Sequence, residues 1–416
     1  MLRFTGYHVI TIIIFFAMGT SVSAQLAPDS AKFVGNILSY DVPDNFDNYW
    51  NQVTPENAGK WGSVAGSQDT SQWNWGNLDM AYNYAKENGL PFKNHALMWG
   101  QQQPEWIDDL DSAAQAEIVE TWIQMTAERY PETDLIDVVN EPLHAPPSYK
   151  EAIGGDGETG WDWAIWGFEK AREYYPDAKL LINDYNILRS NQSTLSYKSL
   201  ISLLQERNLI DGIGLQAHFL EETRASTISG NLNSLAKTGL PIYISEYDVN
   251  IADNDRQLEK MQEQFPIFWQ SDAVEGITFW GYIESRIWRE DAYLIDWSGR
   301  SRPALDWLET YIDTAKTKTS VTSPGPPISE FQLEQNFPNP FNPETQIKFT
   351  LSINEVVTME VYDISGRKVE TLLSGRHMSA GTHTVRFTGA ELPGGMYLYK
   401  LQTPDNTEHK KMVLLK

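Results

Sequence analysis

Two glutamates stand where a carboxylate is costly. Glu141 ends the run Ile-Asp-Val-Val-Asn-Glu (residues 136–141), and Glu246 follows Ile-Tyr-Ile-Ser (residues 242–245). Apolar, β-branched runs of this length read as buried strands. A carboxylate at the end of one is either paired or functional, because an unpaired buried charge is expensive. Two carboxyl groups across a cleft can do a defined chemistry: one protonates a leaving glycosidic oxygen, and the other attacks or activates water on the opposite face of the sugar. Other apolar runs stop in polar residues in the same way, at Thr54, Glu56 and Asn57, at His95, at Asn140, at Gln216 and His218, and at Asp248. With 56 acidic residues in the chain, a pair of glutamates alone is weak evidence, and for each the plainer reading is a structural ion pair with a cationic partner. His218 taken by itself reads as a satisfied core histidine.

The elements that must position these residues are legible. Between Ser30 and Asp313 the strand candidates FVGNIL, WNQVTPEN, PFKNHALMW, DLIDVVNEP, KLLINDYN, GIGLQAHF, PIYISEYDV and GITFWGY alternate with stretches of helical spacing. Residues 113–130, with Ile118, Trp122, Met125 and Ala127, are one such stretch; residues 255–269, with Leu258, Met261 and Phe265, are another. Eight such units predict a (β/α)8 TIM barrel, and continuous hydrophobicity fits strands buried on both faces. A doubly wound open sheet is the rival, weakened because no Gly-rich phosphate loop follows the first strand. On a barrel the C-terminal strand ends form the active face. Glu141 and Glu246, after the fourth and seventh strands, then lie on opposite sides of its mouth.

Composition bounds the rest. The 416 residues, 41% hydrophobic, allow two or three domains and exclude global disorder. A net charge of −24 lacks the basic footprint of a nucleic-acid binder, so no nucleic-acid partner is expected. Zero cysteines exclude disulfides, zinc–thiolate sites, iron–sulfur clusters and a thiol nucleophile. Fifteen Trp and 19 Tyr suit stacking on flat hydroxylated rings, although a large core also absorbs them. Residues 25–315 carry 46 acidic and 20 basic side chains, whereas residues 331–416 carry nine of each, so two compartments are present. Residues 1–24 hold Arg3, an apolar run over residues 9–18 and Ser-Val-Ser-Ala before Gln25, the layout of a secretory signal peptide. That run falls short of the roughly 20 residues of a spanning helix, and no transmembrane anchor is expected later. The first domain is expected over residues 25–313, followed by a Thr/Ser/Pro-rich linker over residues 314–330. From Phe331 to Lys416 the period changes to two, at Ile347, Phe349 and Leu351, at Val357, Met359 and Val361, at Val385 and Phe387, and at Tyr397 and Tyr399. This predicts an all-β sandwich of six or seven short strands.

Linked motifs carry a resemblance. VTPENAGKW (residues 53–61), VVNEP (138–142), GLQAH (214–218) and ISEYDV (244–249) occur in order and with the spacing of a family 10 glycoside hydrolase, the endo-β-1,4-xylanase family, which the chain resembles over residues 33–311. The resemblance implies that Glu141 is the general acid/base and Glu246 the nucleophile of a retaining endo-hydrolysis of xylan. Retention implies carboxyl groups roughly 5–5.5 Å apart. Asn140 would bond the sugar 2-hydroxyl, and His218 would bridge Glu246 and Asp248. The charge of Glu246 would hold a proton on Glu141 by like-charge coupling. Glu56, Asn57 and Lys60, then His95, Trp99 and Gln102, and Gln216, would grip the sugar, with Trp280 and Trp288 walling the cleavage subsite. Core packing is the reading preferred for Trp61, Trp122 and Trp307. The resemblance implies no cofactor, and the sequence shows no metal constellation. Tyr247 stands where the family usually has Leu, Gly100 and Gln101 replace His-Ser or His-Asn, and residues 282–287 form an unfamiliar loop.

The last segment opens on FQLEQNFPNPFNPET (331–345), contains VYDISGRKVETL, AGTHTVRF and LPGGMYLYKL, and ends in KMVLLK. It resembles the sorting domains of the type IX secretion system of Gram-negative bacteria. That implies export through the periplasm, a secreted or cell-surface location, and the secretion machinery as a partner. A carbohydrate-binding module is the alternative: Tyr397 and Tyr399 share a strand face, although alternating tyrosines are more often core. For the first domain the alternatives are a β-1,4-glucan endohydrolase on the same fold and a non-catalytic glycan-binding surface protein. A monomer is expected.

Overall fold

The computed structural model describes residues 25–27, 30–319, 331–351, 355–378, 381–404 and 406–416; the expected leader (1–24) and linker residues 320–330 lie outside them. Eight strands, β1 (Phe33–Leu38), β2 (Val53–Pro55), β3 (Lys93–Met98), β4 (Leu135–Asn140), β5 (Lys179–Asp184), β6 (Gly212–Leu215), β7 (Ile242–Tyr247) and β8 (Val274–Phe279), pair in the order β2-β1-β8-β7-β6-β5-β4-β3. All these pairings are parallel. A parallel bridge between Val53 and Phe92, with the Val53 N–H donating to Pro91 O at 3.0 Å, closes the sheet into the expected barrel.

Each strand is followed by helix: α1 (Phe46–Tyr49), α2 (Trp61–Val64) with α3 (Gly76–Glu87), α4 (Ser112–Arg129), α5 (Asp162–Tyr174), α6 (Asn191–Glu206), α7 (Ala225–Ala236), α8 (Asn254–Trp269) and α9 (Pro303–Thr319). The side chains of Asp111, Ser190 and Asp253 accept the free N–H groups that open α4, α6 and α8. β3, β4 and β7 are buried at every position, because helices cover one face and inward side chains fill the other. Inside the barrel Leu135, Leu181 and Tyr243 pack together with Phe33, whose ring stacks on Tyr243 at 6.0 Å. Gly276 makes room for them: a Cβ there would lie 2.2 Å from Phe33 Cζ. Buried polar side chains stand at mid-strand, at His95 and Asp137, and at or near the strand C-termini, at Asn140, Asn183 and Glu246.

Trp61 and Trp122 are core residues as expected. Trp122 stacks between Trp61 (6.1 Å) and Trp75 (5.6 Å) and donates its indole N–H to Leu97 O. Trp307 is half-buried and stacks on Tyr311 at 4.9 Å. The domain boundary needs correction. α9 runs to Thr319, past the expected linker start at 314, because Trp307, Tyr311 and Ala315 continue a four-residue stripe against the core and the Thr314 hydroxyl bonds Thr310 O. The Thr- and Lys-rich composition hid that helical face.

The C-terminal segment folds as antiparallel strands β9 (Gln332–Leu333), β10 (Glu344–Leu351), β11 (Glu355–Asp363), β12 (Lys368–Met378), β13 (Gly381–Thr388), β14 (Gly395–Gln402) and β15 (Thr407–Leu414). Two sheets, β13-β10-β9 and β12-β11-β14-β15, enclose one apolar core, the sandwich expected. Tyr397 and Tyr399 belong to that core; Tyr399 donates its hydroxyl to Glu334 O at 2.7 Å and accepts the Asn336 N–H. They therefore pack the sandwich and offer no platform for sugars.

Candidate active site

At the C-terminal mouth of the barrel, Glu141 follows β4 with a left-handed backbone (φ 55°). Asn186, Ala217 and Phe219, just beyond β5 and β6, share that unusual region. Its backbone N–H donates to Asn183 O at 2.7 Å, and its own carbonyl accepts the N–H groups of His144 and Ala145. The carboxyl is held at both oxygens, by the Trp99 indole at 2.9 Å and the Gln216 amide at 3.0 Å. Burial is the main reason that this carboxyl ionises less readily than usual. The charges of Glu246 and Asp184 add to the effect, against the bonds from Gln216 and Trp99, which favour the carboxylate. Like-charge coupling to Glu246 is thus a lesser cause than the sequence suggested.

Glu246, near the end of β7, is almost fully enclosed. Asn183 Nδ2 donates to its Oε1 at 2.7 Å, and His218 Nε2 lies 3.1 Å from its Oε2. His218 Nδ1 in turn lies 2.7 Å from Asp248 Oδ2. An imidazole between two carboxylates serves both only when each nitrogen carries a proton. Burial opposes that charge, but Asp248 and Glu246 overcome it and raise the His218 pKa to about 9. Burial likewise opposes ionisation of Glu246, yet His95, His218 and Lys93 outweigh it and bring its pKa down to about 2.

The two carboxyl groups are linked by amides. Gln216 Nε2, besides its bond to Glu141, lies 3.3 Å from Asn140 Oδ1, and Asn183 Nδ2 reaches the same oxygen at 2.9 Å. The expected sugar-gripping residues divide in two. Lys60 donates to Asn57 Oδ1 at 2.9 Å and lies 4.9 Å from the centre of the Trp99 ring, while Gln102 approaches the same Asn57 oxygen at 3.4 Å and Ser39 bonds Glu56. Burial makes Lys60 give up its proton more readily, against the pull of Glu246, Glu56 and Glu141. Trp288, about half exposed, meets the His218 ring edge-on at 5.0 Å. A cavity of about 610 Å³ runs from Glu56, Asn57 and Trp288 toward Tyr40 and Arg286. His95 and Trp280, by contrast, are nearly enclosed. His95 Nδ1 lies 2.8 Å from Asp137 and 4.0 Å from Glu246, and Trp280 packs its ring 5.1 Å from that imidazole. Gln216 and Trp99 bond the Glu141 carboxyl itself.

Several site residues escaped the sequence reading. Asn183 closes the apolar run of β5 just as Asn140 closes that of β4, so the strand-end rule could have found it. Lys93 and Asp137, 3.1 Å apart and buried, are opposite charges on β3 and β4, which is a weaker signal. Asp184 binds His144 Nδ1 at 2.6 Å and the Leu143 N–H, and so props the turn that carries Glu141. Arg289 sits in a loop without periodicity and left no signal.

Both parts of the chain are similar to known proteins. The model of glycosyl hydrolase family 10 matches residues 17–311, and that of a secretion system C-terminal sorting domain matches residues 335–415. Endo-1,4-beta-xylanase B of Cellvibrio japonicus is 41% identical over 282 residues, which cover 67% of this chain and 45% of that protein. Endo-1,4-beta-xylanase 3 of Hypocrea jecorina is 31% identical over 262 residues, covering 61% of this chain and 73% of its own. Among solved structures, native xylanase 10B from Thermotoga maritima superposes with a TM-score of 0.63 at 25% identity, over 71% of this chain and 98% of that one.

Proposed function

Since the chain belongs to glycosyl hydrolase family 10, we propose that it cleaves internal β-1,4-xylosidic bonds of xylan with retention of configuration, Glu246 acting as nucleophile and Glu141 as acid/base. The observation that carries this reading is the opposed state of the two carboxyl groups. Glu246 receives an amide N–H and an imidazolium and stays ionised, while burial favours the protonated form of Glu141. Two neighbouring carboxyls with separated pKa values are what the first step needs. Glu246 attacks the anomeric carbon, the glycosidic C–O bond breaks, and the Glu141 proton goes to the departing oxygen. In the second step Glu141 takes a proton from water, the water oxygen attacks the same carbon, and Glu246 leaves as carboxylate. Asn140 Oδ1 is occupied by two donors, so its amide N–H groups are the part available to a sugar hydroxyl.

Lys60 bonds Asn57, and Asn57, Glu56 and Trp288 line one cavity; we read these residues as the grip on a sugar without an exocyclic hydroxymethyl. The C-terminal sandwich belongs to a sorting-domain family, and we assign it to export by type IX secretion, with the barrel acting outside the cell.

The test is reducing-sugar release from glucuronoxylan and from a soluble cellulose derivative by the chain without its leader, with product anomers followed by NMR. β-anomers appearing first from xylan are expected. Glu246→Ala should be almost inactive, and Glu141→Ala should recover on substrates with good leaving groups. α-anomers first would refute retention, cleavage of glucan alone would refute the substrate, and binding without cleavage would make the protein a glycan-capture module.

A further inference from the structure

Arg289 belongs neither to the sugar grip nor to the carboxylate pair, yet it closes the chain of charges behind Glu246. Its guanidinium Nη1 lies 2.5 Å from Asp248 Oδ1 and 2.8 Å from Glu221 Oε1. Its Cζ stands 4.5 Å from the centre of the Phe219 ring and 6.0 Å from that of Trp288. The side chain is 11% exposed, that of Glu221 13% and that of Asp248 1%, so this is an enclosed ion cluster and not a surface pair. Glu221 also accepts the Asn250 N–H at 2.8 Å, and Asn250 Oδ1 accepts the Asp291 N–H at 3.0 Å. The loops after β6, β7 and β8 are thereby tied together around one guanidinium.

We propose that Arg289 is a positioning residue for the nucleophile: it holds the outer oxygen of Asp248, so that the inner oxygen keeps His218 directed at Glu246, and it fixes Trp288 against the same imidazole. The inference rests on the assignment of Glu246 as nucleophile. The charged groups around the imidazole are Glu246 and Asp248 on and after β7, Glu221 after β6 and Arg289 after β8. His95, Lys93 and Asp137 stand behind Glu246 on β3 and β4, and Glu141 stands across the mouth. Removing Arg289 leaves Asp248, Glu221 and Glu246 with one cation fewer among them. His218 is already protonated throughout the acidic range, so it cannot make up the difference. The next proton must go to a carboxylate. On Glu246 it blocks attack directly; on Asp248 it removes the partner that keeps His218 in place. Either way the acid limb of kcat/KM moves to higher pH, as the property of a coupled group.

The experiment compares wild type, Arg289→Met, Arg289→Lys and Glu221→Gln. The glycosyl-enzyme is first trapped with a 2-deoxy-2-fluoro-xylobioside and located by peptide mass spectrometry, and kcat/KM for an aryl xylobioside is then measured from pH 2 to 7 in short assays. Label on Glu246 in wild type upholds the frame, whereas label elsewhere overturns the nucleophile assignment itself. Arg289→Met should lose about tenfold in kcat with a smaller change in KM, and its acid limb should rise by about one pH unit. Arg289→Lys, which keeps the charge but not the planar group over the Phe219 ring, should fall between it and wild type. Glu221→Gln removes a negative charge and should not raise the acid limb; a rise like that of Arg289→Met would overturn the electrostatic argument. A merely structural arginine would lower thermal stability and activity together and leave the acid limb in place. That result in Arg289→Met, or in Arg289→Lys should the Met variant not fold, overturns the proposal.

Discussion

Asn183→Ala tests how the site keeps its nucleophile charged. Asn183 is fully buried; its Nδ2 donates to Glu246 Oε1 at 2.7 Å and to Asn140 Oδ1 at 2.9 Å, and its Oδ1 accepts the Ser245 hydroxyl at 2.6 Å. A hydrogen bond to a charged acceptor is worth about 1.5–3 kcal/mol. If that value falls on the ionised form of Glu246, losing it raises the carboxyl by about 1–2 pH units, from about 2 toward the ordinary range. The acid limb of kcat/KM should rise by that amount. Near pH 6 Glu246 would still be ionised, so the loss measured there reports a different defect, the release of Asn140. One neutral hydrogen bond of about 1 kcal/mol corresponds to a loss of roughly fivefold. Asn183→Asp keeps the shape and the acceptor for Ser245 but turns a donor into a negative oxygen beside Glu246, and should be the more damaging change at pH 6. Neither variant touches the Glu141 N–H bond to the Asn183 carbonyl. Initial rates on an aryl xylobioside across pH 2–8 decide it: an unmoved acid limb in Asn183→Ala together with a fully active Asn183→Asp would refute the reasoning.

Two other groups yield separate expectations. Trp99→Phe removes a donor that favours the ionised form of Glu141, so Glu141 should keep its proton to higher pH and the basic limb of kcat/KM should move upward. A downward shift would contradict the assignment of that limb to Glu141. His218, raised from 6.5 to about 9, contributes stability that is complete below about pH 6.5 and is lost as pH rises to 9, by about 3 kcal/mol. Urea midpoints from pH 6 to 10 should therefore fall more steeply in wild type than in His218→Gln, and parallel slopes would refute it.

The fold was legible because both of its periods are strong. Eight apolar runs separated by helical spacing leave little besides a barrel, and the alternation at Val357, Met359 and Val361 required a sheet with one buried face. The site was legible where a strand ends in a carboxylate or an amide, as at Glu141, Asn140 and Glu246. It was illegible where the partner comes from a loop, as with Arg289, or from inside a strand, as with Lys93 and Asp137. Spacing along the chain does not encode which side chains converge in a barrel. His95 and Trp280 share the strand-end signature expected of the sugar grip and are nearly enclosed, with His95 Nδ1 4.0 Å from Glu246 and the Trp280 ring packed on that imidazole. Thr314 illustrates a different error, since linker composition concealed a helix whose apolar stripe needs only one residue in four.

In the proposed cycle, Glu141 must be an acid first and a base afterwards without moving. When the ester forms, the charge of Glu246 disappears, and with it one of the causes that oppose ionisation of Glu141. That change alone is insufficient, because burial is a larger cause of the raised Glu141 pKa than Glu246, and burial persists. The remainder falls to Trp99 and Gln216, whose N–H groups occupy both oxygens of Glu141 and stabilise the carboxylate. In the first step these donors work against the acid, holding its pKa below what burial would give; in the second they stabilise the base. A carboxyl buried without them would protonate the leaving group equally well and then fail to release its proton, so the two donors belong to the deglycosylation half of the reaction.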